Sequence, residues 1–381
     1  MTYKHTNRPV LDEFVLSIVL LPKFSAPEYI SEFSLSEQEW DKFLILASQE
    51  GLSSLVYYNL TNHKHAFKIP PVVLSRLKQE FYINTGRNVC IRDELDNIYS
   101  AFENKKIDAV LVRGAVFFDK IYPALGIRPL VDADIVIFEK DLEAVSSMLR
   151  DIGYQSSNNY PFFLEKDNFY LDLHLNVPGY WRARVQNSSI DISDSSIWQE
   201  TIPLKENYFH VRGLGLYDSI LASAQHLQWH DFSRLIWFVD IANLINSSSQ
   251  DLDYDYLIKR AETFNLKKTL YFMIKYLNQY RLIATEERFL KDLDKLPLNR
   301  FEKKTSFLLL ANKRENISGE MLFLFSLGGL KSKLKFIIDV IFLDRQRLPL
   351  EEDKKGSWVY LKRFYRLFSR TFLRFMKVFC Q

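Results

Sequence analysis

Three aspartates stand in two runs that read as strands. Asp132 and Asp134 interrupt the apolar run from Leu130 to Phe138, and Asp172 stands on the polar face of the alternating strand Phe169 to Val177. Residues two apart in a strand leave the same face, about 7 Å apart along the backbone. Asp132 and Asp134 can therefore reach one site, and Asp172 is the natural third member if the two strands are neighbours. Carboxylate oxygens suit hard cations such as magnesium, which prefer carboxylate, water and phosphate oxygens to nitrogen or sulfur. Such a cluster can hold two ions roughly 4 Å apart, one activating a hydroxyl and one neutralising a triphosphate. An Asp-x-Asp pair alone is usually a solvated strand edge. Here burial without a partner would be costly, and a metal or another cation would relieve that cost.

The elements that must position these groups follow from periodicity. Ile107 to Val112 reads as a buried strand ending at Arg113 and Gly114, where a helix begins. Gly114 at that turn lets backbone N–H groups approach a phosphate closely, and Arg113 adds a planar cation beside it. After the Asp-x-Asp strand, Asp141 caps a helix that stops at Gly153. On the N-terminal side, Ser36 with Glu39 forms a capping-box pair opening helical spacing through Asn59, and a second helix starts after Pro70 and Pro71 and runs to Phe102. Beyond Tyr217 helical periodicity returns and continues through Ile245. The expected architecture is α+β: a small mixed sheet at 104–212, an N-terminal helical region at 1–103, a C-terminal helical domain at 213–345 and a basic amphipathic tail at 346–381.

The stretch VLVRGAVFFDKIYPALGIRPLVDADIVI, followed by DLEAVSSMLRDIGY and YLDLHL, resembles a largely uncharacterised bacterial nucleotidyltransferase family of the DNA polymerase beta-like superfamily. AQHLQWHDFSRLIWFVDIANLI is similar to that family's His-rich helix ending in an aspartate. The resemblance implies metal ligands and catalytic carboxylates at Asp132, Asp134 and Asp172, and phosphate contacts at Arg113, Gly114 and Arg128. It further implies Mg2+ in a two-ion site and a nucleoside triphosphate, ATP among them, as substrate. The acceptor, whether small molecule, glycan or protein, is open. The family commonly has Lys-Gly where this chain has Arg113 and Gly114, and arginine keeps the charge but not the shape. A catalytically inactive relative that keeps the fold as a scaffold is the alternative.

Other features narrow the context. A formal charge of +3 over 381 residues argues against bulk nucleic-acid binding. Only Cys90 and Cys380 occur, which fits a reducing, cytoplasmic setting without a disulfide framework. Phe14 to Leu21 reads as a core helix, not a secretory signal. His226 and His230 are four apart, a zinc-capable spacing, but no Glu lies between them and no third ligand is evident, so packing or a place in the base pocket is expected. His174 either orients Asp172, contacts substrate or is structural. From Trp358 to Phe379, basic and aromatic residues alternate at helical spacing, a pattern suited either to peripheral contact with an anionic membrane through 358–381 or to packing on the body.

Overall fold

The computed structural model describes residues 14–16, 18–19, 35–62, 69–156, 162–175, 195–206, 208–341 and 365. The amphipathic tail from 358 lies, apart from residue 365, outside them. Residues 14–16 and 18–19 are helical and buried, as expected for that part of the Phe14–Leu21 run.

Helix α1 (Glu37–Gln49) opens on the Ser36/Glu39 capping box, with Glu39 accepting from the Ser36 N–H at 2.8 Å. The helical spacing that continues to Asn59 is broken here. Gly51 sits at φ +75°, a conformation that suits glycine, and α2 (Ser53–Asn62) restarts behind it. Helix α3 (Pro71–Lys105) begins on Pro71, whose missing N–H costs nothing at a helix start. It ends where Lys106 turns left-handed.

The sheet follows. Strand β1 (Ala109–Val112) runs straight into α4 (Gly114–Lys120). Then come β2 (Asp132–Ile137), α5 (Leu142–Asp151), β3 (Gln155–Ser156), β4 (Phe163–Lys166) and β5 (Phe169–His174). After α6 (Ser195–Glu200), β6 (Ile202–Pro203) and β7 (Val211–Gly213) complete seven strands in the order β3-β4-β5-β2-β1-β7-β6. The sheet is mixed: β1 is antiparallel to β2 but parallel to β7, and β2 is parallel to β5.

The C-terminal helices are α7 (Leu216–Trp229), α8 (Leu235–Ser247), α9 (Tyr254–Thr263), α10 (Lys267–Gln279), α11 (Glu287–Asp294), α12 (Arg300–Leu310), α13 (Gly319–Ser326) and α14 (Leu330–Ile341). The periodicity that runs from Tyr217 to Ile245 is divided between α7 and α8, because Asp231 and Phe232 both take positive φ at the junction. One continuous cluster of buried apolar side chains extends from Phe14 and Phe43 through Val110 and Ile135 to Phe238 and Leu322. The fold is the expected α+β arrangement, a mixed sheet with helices on its N- and C-terminal sides.

Candidate active site

The register between β2 and β5 decides how the carboxylates meet. Asp134 pairs directly with Asp172, and Asp132 pairs with Tyr170. Directly paired residues of neighbouring strands share a face, so Asp132, Asp134, Asp172 and His174 project from the same side of the sheet. His174 Nε2 lies 2.9 Å from Asp134 Oδ1 and 3.4 Å from Asp172 Oδ2. Among the described residues, Asp134, Asp172 and His174 form a group of possible metal donors whose ligating atoms lie within 4.8 Å of one another. Asp132 sits one pleat away and is open to solvent.

Opposite the carboxylates, the turn after β1 delivers a cation. Arg113 has φ 60° and ψ −134°, a backbone region that L-residues rarely occupy. Its guanidinium donates through Nη2 to Asp134 Oδ1 and through Nη1 to His226 Nδ1 on α7. Burial and the neighbouring Arg113 charge hold the His226 imidazolium well below its ordinary range, so the ring is neutral and Nδ1 accepts. Burial opposes the charge on Asp134, but Arg113 and the His174 hydrogen bond outweigh it and keep that carboxyl below the usual range. Asp132, although its side chain reaches solvent, is raised by the partial desolvation of the cleft around it and then by Asp134. Asp172 is raised to about 6 by burial, with Asp134 and Asp132 adding to the shift and His174 and Arg113 opposing it. For both Asp132 and Asp172 desolvation is the larger cause, and the neighbouring aspartates add to it.

Arg128 is buried and engaged by Asp240 of α8: Nε lies 3.0 Å from Oδ1 and Nη2 lies 2.9 Å from Oδ2. Tyr122 donates to Asp240 Oδ1 at 2.5 Å. Behind them, Asn88 of α3 donates to the Leu125 and Arg128 carbonyls at 2.5 and 2.8 Å. Gly114 gives Arg128 its room, since a Cβ there would fall 2.7 Å from Nη1 and 2.9 Å from Leu130 Cδ1. The 17 residues between Gly114 and Asp132, which complete α4 and continue past it, are thus braced so that they tie β2 to α3 and α8.

These groups line one cleft of about 530 Å³ between the sheet and α7–α8. Its far wall is aromatic: Trp237 packs against His226 and His230, with ring centroids at 4.7 and 5.1 Å, and Trp229 joins the lining. Two buried polar atoms of cleft-lining residues, Arg113 Nε and Ser223 Oγ, have no hydrogen-bond partner among the described residues.

Residues 36–281 match the family described as uncharacterised nucleotidyltransferase. The chain belongs to this family. No curated protein and no solved structure matches it. The nucleotidyltransferase assignment makes the chain a transferase and agrees with the resemblance carried by the β1 turn, the Asp-x-Asp strand and the YLDLHL strand. The structure adds three participants that the sequence left open. His174 joins the carboxylates, His226 holds Arg113, and Asp240 anchors Arg128. The aspartate that closes the family's His-rich helix was the one available signal for the last of these.

Proposed function

We propose that this nucleotidyltransferase transfers a nucleoside monophosphate from a nucleoside triphosphate to an acceptor hydroxyl and releases pyrophosphate, with Asp132, Asp134 and Asp172 as the metal ligands. The observation that carries this reading is the direct pairing of Asp134 with Asp172 inside a cleft that also holds a buried arginine. The donor set suits a hard divalent cation. Carboxylates predominate, and a cation beside Asp172 would offset the burial that raises its carboxyl. Magnesium, when bound, neutralises the triphosphate and lowers the pKa of the attacking hydroxyl.

The chain's own groups do the positioning. Arg113 supplies a charge-assisted donor to the phosphates, with Nε still unpaired. Gly114 keeps the turn tight, and Arg128, pinned by Asp240, adds positive charge behind it. The Trp237, His226 and His230 wall offers flat surface to the base. A second reading, a scaffold that binds nucleotide without turning it over, is favoured by one observation: Arg113 already neutralises Asp134.

Calorimetry of the full chain with each triphosphate and magnesium, alongside pyrophosphate release, separates the readings. Magnesium-dependent binding that is lost in the Asp132→Asn, Asp134→Asn double variant, together with pyrophosphate release, is expected. Binding without release over a panel of acceptors selects the scaffold, and binding of no triphosphate overturns both.

A further inference from the structure

Helix α14 has one face that the fold uses and one that it leaves bare. Phe336 is buried against Phe323, with ring centroids 5.1 Å apart, in a small cluster that includes Leu327. Trp229, which also lines the cleft, packs on the same cluster. The packing that seats α14 therefore also seats part of the cleft wall.

Leu330, Leu334, Ile337 and Ile338 recur at the spacing of a single helix face. They are 73%, 50%, 38% and 53% exposed. At about 100° per residue this stripe points well away from Phe336, so the contacts that hold the helix leave it uncovered. Lys331 and Lys333 fall on its two flanks, and Lys335 lies beyond Lys331. No acidic residue falls within the stripe or on those flanks. Aliphatic side chains bordered by lysines form the layout of a helix lying in a bilayer interface, where the apolar stripe enters the acyl boundary and the ammonium groups meet lipid phosphates.

Past residues 342–353, which carry Asp344, Glu351, Glu352 and Asp353 against Arg345 and Arg347, the sequence turns cationic. Residues 354–381 contain Lys354, Lys355, Lys362, Arg363, Arg366, Arg370, Arg374 and Lys377, and no Asp or Glu. A docking protein surface would have to answer this charge with acid and the stripe with an apolar groove. An anionic bilayer supplies both at once. No helix among the described residues is long and apolar enough to cross a membrane, so the contact is peripheral. We propose that α14 is a membrane-surface element whose partner is a bilayer containing anionic phospholipid. This inference is independent of the reaction performed in the cleft.

Sedimentation of the full chain with vesicles of phosphatidylcholine, with and without phosphatidylglycerol, tests it. The chain is expected to partition onto the anionic vesicles only, and less so as salt is raised. Leu334→Glu with Ile338→Glu alters two exposed positions and should leave the circular dichroism spectrum and thermal midpoint unchanged. The same double variant should lower partitioning about tenfold or more, the factor expected from losing the burial of even one Leu-sized side chain. A wild-type chain that stays in the supernatant overturns the proposal, as does a double variant that partitions equally well. If wild type ignores vesicles but is a dimer by light scattering, and the double variant is a monomer, the stripe is a self-association surface and the membrane assignment falls.

Discussion

Arg113 is held in a backbone conformation that costs an L-residue about 1–3 kcal/mol, and its side chain is what compensates. Its guanidinium bridges Asp134 and His226, joining β2 to α7. Two substitutions divide the backbone cost from the side-chain gain. Arg113→Ala loses both contacts and keeps the strain, whereas Arg113→Gly loses the contacts and relaxes the backbone. Glycine should therefore be the more stable of the two by about 1–3 kcal/mol in denaturant melts, against the usual order in which alanine is favoured. Both variants should weaken magnesium-nucleotide binding about tenfold to a hundredfold in calorimetry, as expected for a lost charge-assisted hydrogen bond. Unchanged affinity in both would reduce Arg113 to a turn residue. Asp172 gives a pH prediction. Its carboxyl is raised to about 6, and on the proposed reading a magnesium ion that binds there would have to displace the proton present below that pH. Apparent magnesium affinity should be flat well above pH 6 and fall by up to about tenfold per pH unit below it. In Asp172→Asn the dependence on pH should flatten.

At the scale of elements, the β1–α4 turn shows how little space the site leaves. Gly114→Ala would set a methyl group 2.7 Å from Arg128 Nη1 and 2.9 Å from Leu130, forcing the Arg128–Asp240 pair or the strand entry to shift. Overpacking of this kind should lower stability by about 1–3 kcal/mol. Gly86 is the control: it lies within α3, where a Cβ would meet nothing within 4 Å. Gly86→Ala should raise stability by roughly 0.5–1 kcal/mol. If the two alanine variants melt alike, the crowding at Gly114 has no energetic consequence.

The same turn marks what was readable beforehand. The β1–Arg113–Gly114–α4 unit, the Asp-x-Asp strand and the β5 alternation are local patterns, and each stands where its spacing predicts. The helix break at Asp231–Phe232 was not readable, because apolar spacing continues across it, whereas at Gly51 the glycine just past the helix end was the one local signal. What holds the Gly51 junction in place is distant: Glu50 meets Arg314, 264 residues away. The same limit hid His226 as the partner of Arg113, since a hydrogen bond across 113 residues leaves no trace in local periodicity.

Buried ion pairs, placed where segments distant in sequence meet, connect the molecule as a whole. Arg314 Nη2 donates to Glu50 Oε1 at 2.9 Å, Arg314 Nη1 donates to the Phe232 carbonyl at 3.1 Å, and the Leu235 N–H donates to Glu50 Oε2 at 2.7 Å. This one knot fastens the α1–α2 junction, the α7–α8 junction and the approach to α13. Gly51, Arg234 and Ile236, which border it, also line the cleft. Arg128 with Asp240 makes a second tie between the sheet and α8, within the same continuous apolar core. A buried charge stripped of its partner costs about 3–5 kcal/mol, so Glu50→Ala, which strands Arg314, should destabilise the whole chain by that amount. Because the first tie joins the N-terminal to the C-terminal helices and the second joins the sheet to α8, unfolding should be a single transition, with tryptophan fluorescence and far-ultraviolet circular dichroism sharing one midpoint in wild type. Glu50→Ala should move both midpoints together. Two separated transitions in wild type, or a variant in which only one probe shifts, would mean that the helical regions unfold as independent units and that the cleft between them is not held rigid by this knot.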